Sequence, residues 1–424
     1  MSENEYGGAK RRLAPLRRAA RVALERKLIK RGDMSGFAID WLNLLIRWAH
    51  LIAGIGWIGT SFYFVALDLS LKKRAKMNPG VMGTAWEVHG GGFYHVEKYL
   101  NAPENLPDGL IWYKWEAYLT WITGFCLMVV QFYLNADLWL IDTSVMALEP
   151  WQAIGISITS LVAGWLVYDG LCRSPIGKNT PLLAGLVFLL VLAAAYFYTH
   201  VFSARSSLVH VGAFIGTMMA VNVFGIIVPN QKKITAALIA GEKPDPRFGI
   251  IGKQRSTHNT YLTLPVLVMM VSGHYAMLTS HPQSWLLVGL IVIGGATARH
   301  FLLRHEVGDP LNKIGWTLPV IAIALALAMW MTAPKSTGQG AVVSDADITG
   351  LLQKHCVACH AAKPSHEAFD EAPNNVRLET LEQLRRFAPL VLKQAVQTQT
   401  MPLGNESEMT VTERRQLGTW LGQQ

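Results

Sequence analysis

Residues 315–333 read GWTLPVIAIALALAMWMTA and contain no ionisable side chain. About 20 consecutive apolar residues in a helix cross a hydrocarbon layer of about 30 Å, so the stretch reads as a membrane span. Seven more stretches of this kind precede it, at 41–67, 117–136, 151–168, 181–199, 208–229, 260–279 and 284–303. Any one of them fits the buried helix of a soluble protein equally well; eight in succession specify an all-α, eight-helix transmembrane bundle. Trp and Tyr stand near many of the ends, among them Trp41, Tyr118, Trp139, Trp151, Tyr261, Trp285 and Trp316, where amphipathic rings suit the headgroup level. Composition agrees. The 424 residues are 51% hydrophobic and only 16% charged, against about 25% charged in soluble domains.

The bundle occupies 34–334. Residues 335–342 form a polar linker that begins KSTGQG, and 343–424 suffice for one small domain, marginal unless something staples it. Of the formal net charge of +9, residues 1–33 hold +6 and residues 343–424 hold −2. The basic surplus therefore belongs to the bundle and its N-terminal extension, which points to lipid headgroups. No basic and aromatic platform for nucleic acid is visible.

The staple is legible as Cys356-Val357-Ala358-Cys359-His360. Cys-x-x-Cys-His is the attachment signal of c-type haem: both thiols add to the vinyl groups, and the adjacent His ligates the iron. Thioredoxin-like and zinc readings compete, but zinc needs two further ligands and only His355 and His366 stand nearby. The context favours haem. Residues 345–354 read as a helix leading into the motif, Thr400-Met401-Pro402-Leu403-Gly404-Asn405 is an extended segment able to present a Met sulfur, and 410–421 form a closing helix with Thr410 and Glu413 as a capping box. The tail thus reads as a class I cytochrome c domain with one covalent haem c on Cys356 and Cys359. His360 and Met401 are its axial ligands, with Met409 the other methionine in range.

Haem c is attached outside the cytoplasm, so the tail is expected in the periplasm. The loops agree: Lys72, Lys73, Arg74 and Lys76 follow span 1, Arg173 and Lys178 span 3, Lys232, Lys233, Lys243, Arg247, Lys253 and Arg255 span 5, and Arg304 and Lys313 span 7. By the positive-inside rule the odd loops are cytoplasmic and the protein is a multi-pass protein of the bacterial inner membrane. The basic residues 1–33 conflict with an external N-terminus. The conflict is resolved if the mature protein begins at or near Met34; an interfacial arm or a targeting segment would also account for them.

Ionisable groups inside spans are expensive and mark function by default. His50, His200, His210 and His274 fall in the outer half and are candidate ligands for a b-type haem, against a plain hydrogen-bonded role for each. On the cytoplasmic side, loop 1 carries Trp86-Glu87-Val88-His89-Gly90-Gly91-Gly92-Phe93-Tyr94-His95, and the entrance to span 6 carries Lys253-Gln254-Arg255-Ser256-Thr257-His258-Asn259. Glu87, His89, His95, Arg255, His258 and Asn259 are the candidate catalytic set: fork and amide donors suit a planar anion rich in carbonyls, and the imidazoles can move protons. A tight turn at the glycines and a positive-inside anchor at Lys-Gln-Arg are the structural alternatives. Cys126 and Cys172 read as unpaired apolar residues.

The combination resembles bacterial membrane-bound urate oxidases, in which a urate oxidase N-terminal membrane domain is fused to cytochrome c. The resemblance rests on WAHLIAGIGWIGTSFYFVALD, AWEVHGGGFYHVEKY, KWEAYLTWITGF, NVFGIIVPNQ, KQRSTHNTYLTLPV with SGHY, and CVACH with TMPLGN and ERRQLGTWL. It covers the chain from about Gly36 and leaves the basic extension outside. It implies oxidation of urate to 5-hydroxyisourate, with electrons passed through haem c to respiratory cytochrome c and not to oxygen. The rival reading is a non-catalytic membrane cytochrome relaying electrons from quinol or a partner dehydrogenase.

Overall fold

The computed structural model describes residues 4–423 apart from 104, 105, 108, 334–342 and 398, with side chains from Phe37 onward. The 335–342 linker and the side chains of 1–33 therefore lie outside the described residues.

The chain is mostly helical. Helix α1 (Asn4–Ser70) is followed by a hairpin of β1 (Val81–His89) and β2 (Gly92–Tyr99). Next come α2 (Trp115–Met128), running on as a π-helical turn to Tyr133, the short α3 (Ala136–Trp139), α4 (Pro150–Arg173) and α5 (Thr180–Thr199). Helix α6 (Ala204–Val221) passes through a π-helical turn, Asn222–Ile227, into α7 (Val228–Ile239). Helices α8 (Pro246–Val271), α9 (Ala276–Thr279), α10 (Ser284–Glu306), α11 (Leu311–Ile314) and α12 (Thr317–Thr332) complete the body. The tail contains α13 (Asp345–His355), α14 (Val357–His360), α15 (Leu381–Arg386), α16 (Ala388–Val391) and α17 (Val411–Gly422).

Among the described residues five helices are long and apolar enough to cross a membrane: Phe37–Ser70, Pro150–Arg173, Thr180–Thr199, Ala204–Ile239 and Ser284–Glu306, with Thr317–Thr332 a shorter apolar one. The other two expected spans are helical as well, within α2 and α8. Local chemistry sets the starts. Asn179 and Ser203 accept backbone N–H groups at the first turns of α5 and α6, and Asp245 accepts from Arg247 N ahead of Pro246 at the start of α8. Lipid is as apolar as the helices it surrounds, so packing in place of burial must hold them together. Small residues allow this. A Cβ on Gly164 of α4 would sit 1.9 Å from the Phe214 ring of α6, and one on Gly295 of α10 would sit 3.0 Å from Pro265 of α8.

One expectation needs correction. The all-α reading missed the hairpin, in which Trp86 pairs with His95, Glu87 with Tyr94 and Val88 with Phe93. Its signal was a glycine pair between alternating aromatic and β-branched residues: Gly90 (φ 57) and Gly91 (φ 78) take the left-handed conformations that a two-residue turn demands. The glycines thus serve the turn. The segment 253–259, expected at the entrance to a span, is helical and lies within α8 ahead of residue 260.

The tail has its own core, in which Ile348, Leu351 and Leu352 of α13 meet Leu417, Trp420 and Leu421 of α17. Trp420 Nε1 donates to Asp345 Oδ1 at 2.8 Å, and Lys354 Nζ donates to Glu413 Oε1 at 2.8 Å, so first and last helices are tied at both ends. The expected capping box is present, Thr410 accepting from Glu413 N while Glu413 accepts from Thr410 N.

Candidate functional site

Polar chemistry collects at both ends of the body. At the hairpin end, α1, the hairpin, α2, the turn after α6, α7 and α8 enclose a cleft of about 720 Å³. Thr60, Ser61, Gln231, Ser256, Asn259 and Thr263 supply hydrogen-bonding groups and Asp68, Glu97, Lys98 and Glu116 supply charge to a wall that also includes Trp57, Phe62, Phe64, Trp112 and Tyr113. Such a mix of apolar wall and convergent polar groups is what small-molecule sites use.

Asn259 connects this cleft to a buried network. Its Oδ1 accepts from Asn222 Nδ2 at 3.0 Å, and its Nδ2 donates to Met219 O at 2.9 Å. Asn222 Nδ2 also reaches Tyr168 Oη at 2.9 Å, and Tyr168 Oη lies 2.8 Å from His258 Nδ1. Tyr168 accepts from Asn222 and can give its own hydrogen to His258, which leaves the imidazole proton on Nε2. Asn222 opens the π-helical turn, a distortion that recurs at functional sites because it redirects a side chain into a helix bundle. Behind Tyr168, Arg255 is only 1% exposed and donates to Asp169 Oδ1 at 2.6 Å. Its guanidinium lies over the Tyr168 ring, 5.0 Å from the centroid.

Three of the six expected catalytic residues, Arg255, His258 and Asn259, therefore share one network. The hairpin trio does not join it among the described contacts. Glu87 accepts from Tyr63 Oη at 2.8 Å, His95 stacks on Trp86 with ring centroids 4.4 Å apart, and His89 is exposed at the turn. Sequence reasoning missed Tyr168, Asp169 and Asn222, as well as Arg299 of α10. Arg299 is 2% exposed, its Nε and Nη2 have no hydrogen-bond partner, and its guanidinium lies 3.5 Å from the centroid of Phe62 on the cleft wall. The signal for Arg299 was available, an arginine within an apolar stretch. Arg255 Nε and Nη1 and Asn222 Oδ1 are likewise buried without partners, so the network holds unused capacity for a polar guest.

His50, His200, His210 and His274 differ in what their ring nitrogens meet. His210 is fully buried, its Nδ1–H donating to Ser206 O at 2.8 Å while Nε2 meets Ser157 Oγ at 2.8 Å, so neither nitrogen is available to iron. His50 Nδ1 donates to Thr120 O at 3.0 Å and His200 Nδ1 to Tyr196 O at 2.7 Å. Neither described cavity is lined by two of the four. Of the four, only His210 has both ring nitrogens bonded among the described residues, while His50 and His200 keep Nε2 without a described partner.

At the opposite end, a cavity of about 380 Å³ is lined by Cys356, Cys359, His360, Met401 and Met409. His360 Nδ1–H donates to Val376 O at 2.7 Å, which leaves Nε2 with the lone pair an iron would need. Arg414 holds the Met401 loop in place, donating to Ala395 O at 2.6 Å and to Asn405 Oδ1 at 2.9 Å. Neither cysteine is in a disulfide, and burial pushes the Cys356 thiol up to about 12. A zinc site would need clustered thiolate or imidazole donors, and no group of three or more His, Cys, Asp or Glu is gathered for a metal ion among the described residues. Two thiols, a free imidazole nitrogen and a thioether on one largely apolar cavity fit haem c.

A family model described as urate oxidase N-terminal matches residues 36–332. The chain belongs to the urate oxidase N-terminal family. No curated protein and no solved structure matches it. The family match covers the helical body, including the cleft and the Asn259 network, and stops before the tail. Membership makes the chain a urate-related oxidoreductase of membrane-protein character.

Proposed function

We propose that the chain is a membrane-bound urate oxidase that converts urate to 5-hydroxyisourate and delivers the electrons through a covalent haem c to cytochrome c, not to oxygen. The observation that carries this reading is the coexistence, in one chain, of a urate oxidase family body and a tail cavity presenting Cys356, Cys359, His360 and Met401 together. Urate plus one water yields 5-hydroxyisourate, two protons and two electrons. The haem would be held by thioethers to Cys356 and Cys359, with His360 and Met401 on the iron, and would supply a one-electron acceptor.

The residues of the body bind and orient. Urate is a planar anion with alternating carbonyl and N–H groups, and it belongs in the cleft at the hairpin end. There Asn259 and Gln231 offer paired amide donors and acceptors, and the aromatic wall covers its faces. The bonded series Asn259, Asn222 and Tyr168 leads away from the cleft and orients His258, whose imidazole is the one group of the four able to hold a proton. Arg255 supplies a fixed positive field behind it, held by Asp169.

By the distribution of Lys and Arg, the hairpin end faces the cytoplasm and the tail the periplasm of a bacterial inner membrane. Asn259 in the cleft and His274 at the tail cavity lie along α8 and the turn that follows it, about 22 Å apart at 1.5 Å per residue. Membrane vesicles test this arrangement. Inside-out vesicles should consume added urate without permeabilisation while a pyridine haemochrome spectrum reports haem c. Urate oxidation confined to right-side-out vesicles would move the substrate site to the tail end.

A further inference from the structure

The cavity that presents Cys356, Cys359, His360 and Met401 is not closed by the tail alone. Trp139, Asp142, Ser203, Arg205 and His274 of the body form its other wall. The two parts meet closely. At Gly404 (φ +58), next to the Met401 loop, an added Cβ would lie 3.4 Å from the carbonyl oxygens of both Asp137 and Ile141. Backbone of the tail thus rests on backbone of α3 and the turn after it.

The charges on the wall are unequal in origin. Among the described lining residues Arg205 is the one Arg or Lys, and it comes from the body. It forms no ion pair among the described residues, and its guanidinium lies over the Trp139 ring, 4.9 Å from the centroid. Asp142 is the one lining acid. The tail's own buried cation, Arg414, is committed to backbone and amide oxygens of the Met401 loop and does not line the cavity. A haem carries two carboxylates, and charge placed in a low-dielectric pocket needs a counter-charge.

We propose that Arg205 is the counter-charge for the anionic edge of the haem, so that body and tail share one prosthetic-group site and the body sets the reduction potential of the tail. The proposal rests on the reading of 356–360 as a haem c attachment site. It assigns α3 and the start of α6 a role that the membrane domain's family membership does not supply. A fixed positive charge near the iron favours the reduced form, which carries one positive charge fewer.

The test is an equilibrium redox titration of the full-length, haem-loaded protein in detergent, read from its visible spectrum. At the potential where the wild type is half reduced, Arg205→Gln should show a ratio of reduced to oxidised haem about tenfold lower, and Arg205→Lys should restore most of it. Haem content and the low-spin spectrum should match in all three. If Arg205→Gln titrates with the wild type, or shifts only together with loss of the low-spin spectrum, the shared site is wrong while the haem reading stands. A wild-type protein without covalent haem would overturn both.

Discussion

The Arg255 guanidinium and the Asp169 carboxylate meet at 2.6 Å inside the helical body, their side chains 1% and 13% exposed. Breaking such a pair leaves one charge uncompensated, which costs about 3–5 kcal/mol, whereas replacing both partners with apolar side chains of similar volume is often neutral. Asp169→Asn should therefore lower the unfolding free energy by about 3 kcal/mol, measured by denaturant titration in detergent. The double variant Arg255→Met with Asp169→Leu should recover most of that stability without recovering urate oxidation. Full activity in the double variant would show the pair to be structural only.

Asn222 stands between the cleft and the acid–base end of the network, donating to both Asn259 Oδ1 and Tyr168 Oη. Asn222→Ala leaves both acceptors without that donor and removes the link from Asn259 to His258. Turnover should fall about tenfold or more, since a lost buried hydrogen bond costs about 1–3 kcal/mol. The stronger effect should be on kcat, with KM less affected. An unchanged kcat would disconnect the network from the reaction.

Met401 and Met409 both line the tail cavity, but they differ in setting. Met409 is 5% exposed within the tail core, while Met401 is only partly buried, on the loop that Arg414 holds. Met401→Ala should abolish the methionine–iron absorption of the haem and leave thermal stability less changed. Met409→Ala should keep that absorption and cost about 2–5 kcal/mol, as large-to-small core changes do. The reverse pattern in optical and melting data would exchange their roles.

Much of this was legible in the sequence, for identifiable reasons. Apolar runs of membrane-crossing length report themselves residue by residue, and the Cys356 to His360 motif is local, so the helices and the grouping of Cys356, Cys359 and His360 on one cavity could be anticipated. Contacts between distant residues could not. Tyr168 stands at the end of an apolar run, and only the folded bundle brings its side chain on α4 to His258 on α8, 2.8 Å away. A tight turn at the glycines was one of two open readings, but the strands on either side of Gly90 and Gly91 were not read from the alternating residues. For His210 the sequence left a ligand and a plain hydrogen-bonded role open, and only the packed helices show both of its nitrogens bonded.

Acid should loosen the tail through Glu413. The Lys354 ammonium, followed by the Thr410 backbone N–H, holds its carboxyl below the usual carboxylate range. Because the folded-state value is depressed, its contribution is complete above the ordinary unfolded value of about 4.3 and is lost as pH falls below that. In urea titrations of the full chain followed by haem absorbance, Glu413→Gln should flatten the stability profile below that value. Thr410→Ala should cost about 1 kcal/mol at neutral pH, through loss of the helix cap. A wild-type profile in Glu413→Gln would remove this carboxylate from the account.

The central claim is that one chain oxidises urate and disposes of the electrons through its tail. The direct measurement mixes purified full-length protein, urate and oxidised cytochrome c, following urate absorbance, cytochrome reduction and peroxide together. The account predicts that two cytochromes are reduced for each urate lost, that no peroxide forms, and that Cys359→Ala abolishes the coupling. Urate left intact while quinol reduces the haem would contradict it and identify a relay cytochrome, and urate consumed with oxygen uptake and peroxide release would contradict the electron route.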